Sequence, residues 1–282
     1  MTVATPTPAA VHHPLDAALH VQPQADGSWL ARTPTGYWNM IGPYGGTTAA
    51  LVVHSVLRQP DCLGEPVSLT VNYAAPLQEG PIRVMLQAVR TNRSTQHWQV
   101  QLLQAGEGGS QVVTTTATVV TALRRETFCA EDGRPPYMPD PMTCERYHTQ
   151  GAMEWLQRYD IRLVTGGVPK VWDGRAADPI TQLWVRDDPP RPLDFAALTA
   201  LCDVFFPRIW LRRAQHVAAG TVSMTVYFHA DAAQLAAQGS QHVLAQADAQ
   251  AFRNGFFDQT AQLWDREGRL LATSHQLVYY KE

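Results

Sequence analysis

The sequence predicts an α+β protein written twice, each copy a curved antiparallel sheet wrapped around a central helix. Three observations point there. Val67-Ser68-Leu69-Thr70-Val71-Asn72-Tyr73 returns 155 positions later as Val222-Ser223-Met224-Thr225-Val226-Tyr227-Phe228. Each copy follows a long apolar segment of helical character and precedes three more strand-like segments. In each set the third strand leads into the fourth through a Gly-containing turn, Gly106-Glu107-Gly108-Gly109 in one copy and Asp265-Arg266-Glu267-Gly268 in the other. A unit repeated within one chain is free to diverge, so one half can keep a working site that the other loses.

The elements follow in order. Leu19–Val21 and Ser28–Arg32 flank the turn Gln24-Ala25-Asp26-Gly27 and read as a hairpin. Gly42-Pro43-Tyr44-Gly45-Gly46 is a break, and Thr47–Leu57 after it is mostly Ala, Val and Leu. A helix apolar nearly all round belongs inside a domain. Gly80–Arg90 alternates through Ile82, Val84, Leu86 and Ala88. Trp98, Val100 and Leu102 share one strand face, and Gln111–Leu123 is rich in Thr and Val. Cys129–Pro141 reads as a Pro-studded linker, and Cys144–Tyr159 as a short helix. The second unit then repeats the order. Strands Ile161–Val164 and Ile180–Arg186 precede the break Asp187-Asp188-Pro189-Pro190, and a helix runs over Leu193–Phe206 until Pro207 stops it. Strands follow at Thr221–His229, His242–Ala249, Phe256–Trp264 and Arg269–Tyr280. The expected domains are residues 1–140, with a frayed tail and the linker, and residues 141–282.

Composition narrows the function. The length suits two domains with cores of their own, and 45% apolar with 17% charged residues describes a globular protein. A net charge of -3 gives no basic footprint for nucleic acid. Cys62, Cys129, Cys144 and Cys202 lie far apart, so reduced thiols are expected and zinc or redox work is not. Met1–His13 lacks both the basic start and the apolar core of a signal peptide, and no uncharged run reaches the roughly 20 apolar residues of a membrane span. The expectation is a cytoplasmic protein with no membrane partner, no metal and no cofactor.

A central apolar helix followed by four antiparallel strands, after a preceding hairpin, is the hotdog arrangement, here in tandem as a double hotdog. Tyr44-Gly45-Gly46 opens the first helix and Leu201-Cys202-Asp203 lies in the second. Thr221 with Phe228-His229 follows in the next strand, and Thr273-Ser274-His275-Gln276 in the last. On these motifs, in this order, residues 15–280 resemble the double-hotdog acyl-CoA thioesterases, the family of acyl-CoA thioesterase II. The departures are Thr47 and Thr48 after the Gly pair, His275 before Gln276, and the proline-rich stretch at Pro135–Pro141.

Three residues carry the candidate chemistry. With Phe195 at the centre of the second helix's apolar stripe, Asp203 falls at the edge of that stripe. A solvated flank position or a local cap is the plain alternative, but the first helix has no carboxylate at all. Gln276 shares a strand face with Leu270, Ala272, Ser274 and Val278, opposite Thr273, His275 and Tyr279, and neither face is purely apolar. It also reads as a structural amide, and Thr221 as an ordinary strand-start hydroxyl. The resemblance implies that Asp203, Thr221 and Gln276 hold the water that attacks a thioester carbonyl. Such general-base help is worth about 10²–10⁴ in rate. Gly45, Gly46 and Thr47, at a helix start, are the expected donors to the oxyanion.

Other features imply less. Arg208, Arg212 and Arg213 either meet the phosphates of coenzyme A or form a solvated basic edge; Cys202 reads as a buried thiol and His54 as a core histidine. A hotdog hydratase with His five residues after its Asp is disfavoured, because Arg208 holds that place after Asp203. A tandem hotdog that binds acyl-CoA without turnover is the non-enzymatic alternative. The expected partner is an acyl-CoA substrate, with homo-oligomers through sheet edges as a further expectation.

Overall fold

In the computed structural model, which describes residues 13–149, 151, 153–175 and 177–281, the two copies of the repeated segment pair with each other. The first half contains α1 (Pro14–Ala18), β1 (Gln22–Pro23), β2 (Trp29–Arg32), α2 (Gly45–Leu57), β3 (Glu65–Tyr73), β4 (Pro81–Thr91), β5 (Thr95–Ala105) and β6 (Gln111–Ala122). The second begins with β7 (Glu145–Arg146), β8 (Tyr159–Thr165), β9 (Thr181–Asp187), α3 (Phe195–Leu201) and α4 (Arg208–Arg213). It continues with β10 (Ala218–Phe228), α5 (Ala232–Gln238), β11 (Val243–Asp248), β12 (Phe252–Arg253), β13 (Phe256–Trp264) and β14 (Leu270–Lys281).

One antiparallel sheet runs β1-β2-β4-β5-β6-β3-β10-β14-β13-β11-β9-β8-β7. At its centre β3 meets β10, with Leu69 opposite Val226, Val71 opposite Met224, and Thr70 opposite Thr225. The two threonines are equivalent positions of the repeat, and their hydroxyls are 3.1 Å apart. A local two-fold relation therefore passes through this pair. It extends to fine detail: the register shift between Thr221 and Ser223 against β14 recurs between Pro66 and Ser68 against β6.

The sheet curves around α2 and α3, which pack against each other inside it. Ala49, Ala50, Val52, Val53 and Val56 of α2 are fully buried, as an uncharged, apolar helix requires. The two helices approach closely at α2's first turn. A Cβ added at Gly46 would stand 2.6 Å from the Ala200 carbonyl oxygen, and Tyr44 Oη donates to that same oxygen at 2.7 Å. This is the double-hotdog architecture.

Several expectations need correction. The helix expected over Leu193–Phe206 ends at Leu201, so Asp203 lies in the turn beyond it. The turn is closed by Asp203 N–H to Ala200 O at 3.2 Å and Val204 N–H to Leu201 O at 3.3 Å, the tightened geometry of a helix end. Pro207 then disfavours helix at Phe206, and α4 starts afresh after it. Cys144–Tyr159 is not one helix but the short strand β7 and a 3-10 turn at Glu154–Arg158. Leu19 caps α1, so the first hairpin is β1 with β2, shorter than expected. Residues 1–12 of the expected tail lie outside the described residues. The linker runs over the outer sheet face, where Trp184 Nε1 donates to Pro139 O and Met138 packs on Trp184, Leu244 and Trp264.

Substituting Gly46→Ala is expected to lower unfolding free energy by about 1–3 kcal/mol, because the added methyl has no room between Tyr44 and Ala200. Urea denaturation measures this; an unchanged midpoint would mean that the helix contact is looser than described.

Candidate functional site

The close approach of α2 and α3 sets the first turn of one helix against the last turn of the other. Asp203, just past α3, thereby reaches the opening turn of α2 from the opposite half. The Gly46 N–H donates to its carboxylate. A Cβ at Gly45 would come within 2.9 Å of Asp203 Oδ2, so the first glycine keeps this approach open. Tyr73 of β3 donates its hydroxyl to Gly45 O at 2.9 Å, and Ser274 of β14 donates to Cys202 O at 3.2 Å. The turn carrying Asp203 is thus pinned from both halves.

Gln276 and Thr221 join it. Along β14, Ser274, Gln276 and Val278 face inward and His275, Leu277 and Tyr279 outward, which settles the direction that the sequence left open. Gln276 is 3% exposed; its Nε2 donates to Asp203 Oδ1 at 2.9 Å, and its Oε1 accepts from Thr221 Oγ1 at 3.1 Å. Thr221 sits beside the bulge of β10, the kind of irregularity that re-aims a side chain. One hydrogen-bonded chain, Thr221–Gln276–Asp203, results.

The chain opens into a cavity of about 820 Å³. Among the described lining residues Asp203 is the single Asp, Glu, Lys or Arg, and the remainder include nine Phe, Tyr or Trp residues, Trp155, Trp172, Trp210 and Phe257 among them. Tyr44 stacks on Trp155 at 4.3 Å. In these surroundings burial raises the Asp203 pKa to about 7, while the Gln276 amide and the Gly46 N–H pull it back. Burial first, and the Asp203 charge second, hold the Tyr44 and Tyr73 hydroxyls well above their usual range, so both stay protonated donors.

The three expected oxyanion donors are not equivalent. Gly45 lines the cavity; Gly46 donates to Asp203; the Thr47 N–H bonds Tyr44 O at 3.1 Å, which takes it out of that role. Arg208 is neither a phosphate contact nor a basic edge. It is fully buried, donates to Phe206 O, Pro179 O and Thr181 Oγ1, and burial pushes its pKa down to about 9. Cys202 is a buried thiol whose pKa burial drives up, as expected. His54, partly buried in the last turn of α2, has its pKa pushed down by burial. No cluster of three or more His, Cys, Asp or Glu suited to a metal occurs among the described residues.

Gln259 escaped the sequence reading. It lies opposite Gln276 on β13, is 4% exposed, and lines the cavity. A lone amide on the inward face Phe257, Gln259, Ala261, Leu263 was the available signal.

Among the described residues the other half has no such constellation. By strand register Leu69 corresponds to Met224, and their partners are Val119 and Gln276. Pro66 stands where Thr221 does, and Trp98, opposite Val119 on β5 and 3% exposed, stands in place of Gln259. The helix start differs as well: α3 is capped by its own Asp194, which accepts from Ala197 N–H at 2.8 Å. No side chain of α2's own N-cap residue, Tyr44, caps it.

Comparison with known proteins agrees with this architecture. Residues 34–122 match the acyl-CoA thioesterase N-terminal domain and residues 130–280 the acyl-CoA thioesterase C-terminal domain. No curated protein sequence matches the chain. Among solved structures, a conserved hot dog fold protein of unknown function from Alicyclobacillus acidocaldarius is 41% identical, with TM-score 0.88, covering 96% of this chain and 99% of its own. An acyl-CoA thioesterase II, TesB2, from Mycobacterium marinum is 15% identical with TM-score 0.74, covering 95% and 98%. The dehydratase domain of the polyketide PpsC from Mycobacterium tuberculosis is 12% identical with TM-score 0.56, covering 96% and 99%. At the identities of the last two, likeness is in fold alone, and fold does not choose the reaction.

The raised Asp203 pKa has a consequence for stability. Between its unfolded value near 3.8 and about 7 the folded state holds the extra proton, so stability falls as pH rises through that window. Asp203→Asn is expected to raise the thermal midpoint more at pH 8 than at pH 5. An equal shift at both pH values would show that the carboxyl is not perturbed.

Proposed function

The chain belongs to the double-hotdog acyl-CoA thioesterase family, and on that premise we propose that it hydrolyses an acyl-CoA to the free carboxylic acid and coenzyme A. The reading rests on one observation above all: the Thr221–Gln276–Asp203 chain at the cavity wall, beside the open start of α2. Thioesterase-type chemistry is the family's; the residues that perform it in this chain are our assignment.

In this reading a water stands between Asp203 Oδ2 and the thioester carbonyl carbon. With one hydrogen of the water directed at Asp203, the other is accepted by a lone pair of Gln276 Oε1 or Thr221 Oγ1, which fixes its orientation. Asp203 takes one proton as the water oxygen attacks, and a tetrahedral oxyanion forms. The Gly45 N–H, free of an intrahelical partner at the helix start, donates to that oxyanion. Collapse breaks the carbon–sulfur bond, and the departing thiolate recovers the proton held by Asp203. No acyl-enzyme forms, in keeping with a Cys202 thiol that is fully buried and held protonated. No metal and no cofactor enter these steps.

The same reading covers the remaining partner. Among the described residues no helix is long and apolar enough to cross a membrane. Self-association through sheet edges uses β1 or β7, two-residue strands, one of them carrying Pro23.

Two outcomes are expected. Asp203→Asn lowers turnover of a hydrolysed acyl-CoA by roughly 10²–10⁴, measured by thiol release across acyl groups from short to long and aromatic. Wild-type turnover in that variant ends the assignment, and silence of the wild type with acyl-CoA still bound turns the reading to a binding protein. The second outcome is a pH profile. Because a base must be unprotonated, kcat/KM rises with pH through about 7 and levels above it. Gln276→Leu removes a donor to the carboxylate, so its limb moves to higher pH; a limb left in place would separate Gln276 from Asp203.

A further inference from the structure

Four glutamines among the described residues are at most 5% exposed: Gln96, Gln238, Gln259 and Gln276. The fold satisfies three of them. Gln96 accepts from Leu63 N–H and donates to Asp61 O and Thr91 Oγ1. Gln238 donates to Gln241 O and His242 O, and Gln276 joins Asp203 to Thr221. Gln259 makes no side-chain hydrogen bond to any described residue, yet it is 4% exposed and lines the cavity. A buried amide is costly without a partner, so this one is a polar group turned toward the space that a substrate enters.

Its position relates it to the reacting carbonyl. β14 lies between β10 and β13, so Gln276 stands between Thr221 and Gln259. Gln259 and Gln276 are register partners, with Cα atoms about 5 Å apart. Two residues along the same pair Phe257 faces Val278, and α4, which packs on β13, brings Trp210 to the cavity wall. The amide is thus a polar point in an apolar stretch beside the Thr221–Gln276–Asp203 chain. The carrier end of a thioester has to reach solvent, so the part enclosed beside Gln259 is the acyl group. The other half carries Trp98 at the equivalent position, so the amide accompanies the reacting chain rather than the packing of the fold.

We propose that Gln259 is a specificity-determining residue that recognises a neutral oxygen, hydroxyl or oxo, on the acyl chain near the thioester carbonyl. Nε2 donates to either kind of oxygen, and Oε1 accepts from a hydroxyl. An acyl group bearing a carboxylate is disfavoured, because Asp203 is the single formal charge among the described lining residues and no cation answers it. Distance agrees as well: an oxygen on the third carbon stands roughly 3–4 Å from the carbonyl carbon, within the separation of the two amides. The inference rests on the hydrolysis reading and makes oxygen-substituted acyl-CoAs the preferred substrates.

The test compares thiol release from butanoyl-CoA, 3-hydroxybutanoyl-CoA and 3-oxobutanoyl-CoA, and from the matching hexanoyl set. Wild-type kcat/KM is expected to be higher by about tenfold or more for an oxygenated member than for the plain one, and the two oxygenated arms show which oxygen is taken. Gln259→Leu, similar in length and without the amide, is expected to cut that ratio by about tenfold or more. Gln259→Met repeats the test should the leucine variant not fold. Gln262→Leu, on the exposed face of the same strand, is expected to leave the ratio alone. No preference in the wild type, an unchanged ratio in the Gln259 variants, or an equal loss for every substrate overturns the proposal; the last places Gln259 against the carrier arm or in the packing. Ketone analogues with a methylene between sulfur and carbonyl cannot be cleaved, and calorimetry with them separates the two readings. Tighter binding of the hydroxylated analogue, lost in Gln259→Leu, with no thioester hydrolysed, keeps the recognition and overturns the hydrolysis reading. Hydrolysis without that discrimination keeps the hydrolysis reading and overturns the recognition.

Discussion

The pairing of β3 with β10 is the constraint on which the remainder of the structure depends. A seven-residue segment lies antiparallel to its own copy, with Thr70 and Thr225 sharing a hydrogen bond at the local two-fold. Antiparallel self-pairing of a repeat leaves no freedom in how the halves meet, because a one-residue slip turns every inward side chain outward. Once β3 and β10 are in register, the helices that precede them are brought together inside the curved sheet. The start of α2 then faces the end of α3. This juxtaposition, produced by symmetry, brings a carboxylate and the opening amides of a helix to one place.

Symmetry supplies two such places, and the sequence has kept one. At the retained site the bulge presents Thr221, the last strand presents Gln276, and α2 begins with two glycines. At the equivalent site the bulge presents Pro66, which has no hydroxyl, and Val119 and Trp98 take the amide positions. An indole in place of Gln259 fills the space with ring, and Asp194 satisfies the helix start that would otherwise face a ligand. At the equivalent place the bulge recurs without a threonine and the space is filled by side chains.

Much of this was legible in the sequence, for identifiable reasons. The succession of strands along the chain and the buried α2 followed from period-2 and all-apolar patterns, which packing respects closely. Phe256–Trp264 was legible to the residue because Trp264 and the Asp265 turn close it sharply. The end of α3 was not, since apolar residues continue through Phe206 and only the folded chain shows that Leu201 is its last residue. Arg208 misled for a similar reason. A guanidinium is read as solvated or as a phosphate ligand, yet here backbone carbonyls satisfy it inside the fold. The short helices α1, α4 and α5 lack a full apolar period and so left no signal. The inward direction of Gln276 depended on which strand β14 joins, a fact of pairing that one strand's pattern does not contain.

Asp203's place beyond α3, rather than within it, decides its chemistry. A carboxylate at a helix C-terminus faces the negative end of that helix, which favours its protonated form. Here the carbonyls of that end are occupied by donors from elsewhere: Tyr44 Oη on Ala200 O, and Ser274 Oγ on Cys202 O. The opposing effect comes from α2, whose Gly46 N–H and positive end favour the anion. Burial then pushes the other way and wins, leaving the group near pH 7 rather than near 4. Had Asp203 lain on a solvated helix flank, the plain alternative in the sequence, it would have met neither α2 nor Gln276 and would have titrated as a surface acid. A turn one residue past the helix cap therefore converts an ordinary carboxylate into one that can exchange a proton near neutrality. The same turn is held by tyrosine and serine hydroxyls from both halves, so the place of Asp203 depends on how the β3–β10 pair brings the halves together.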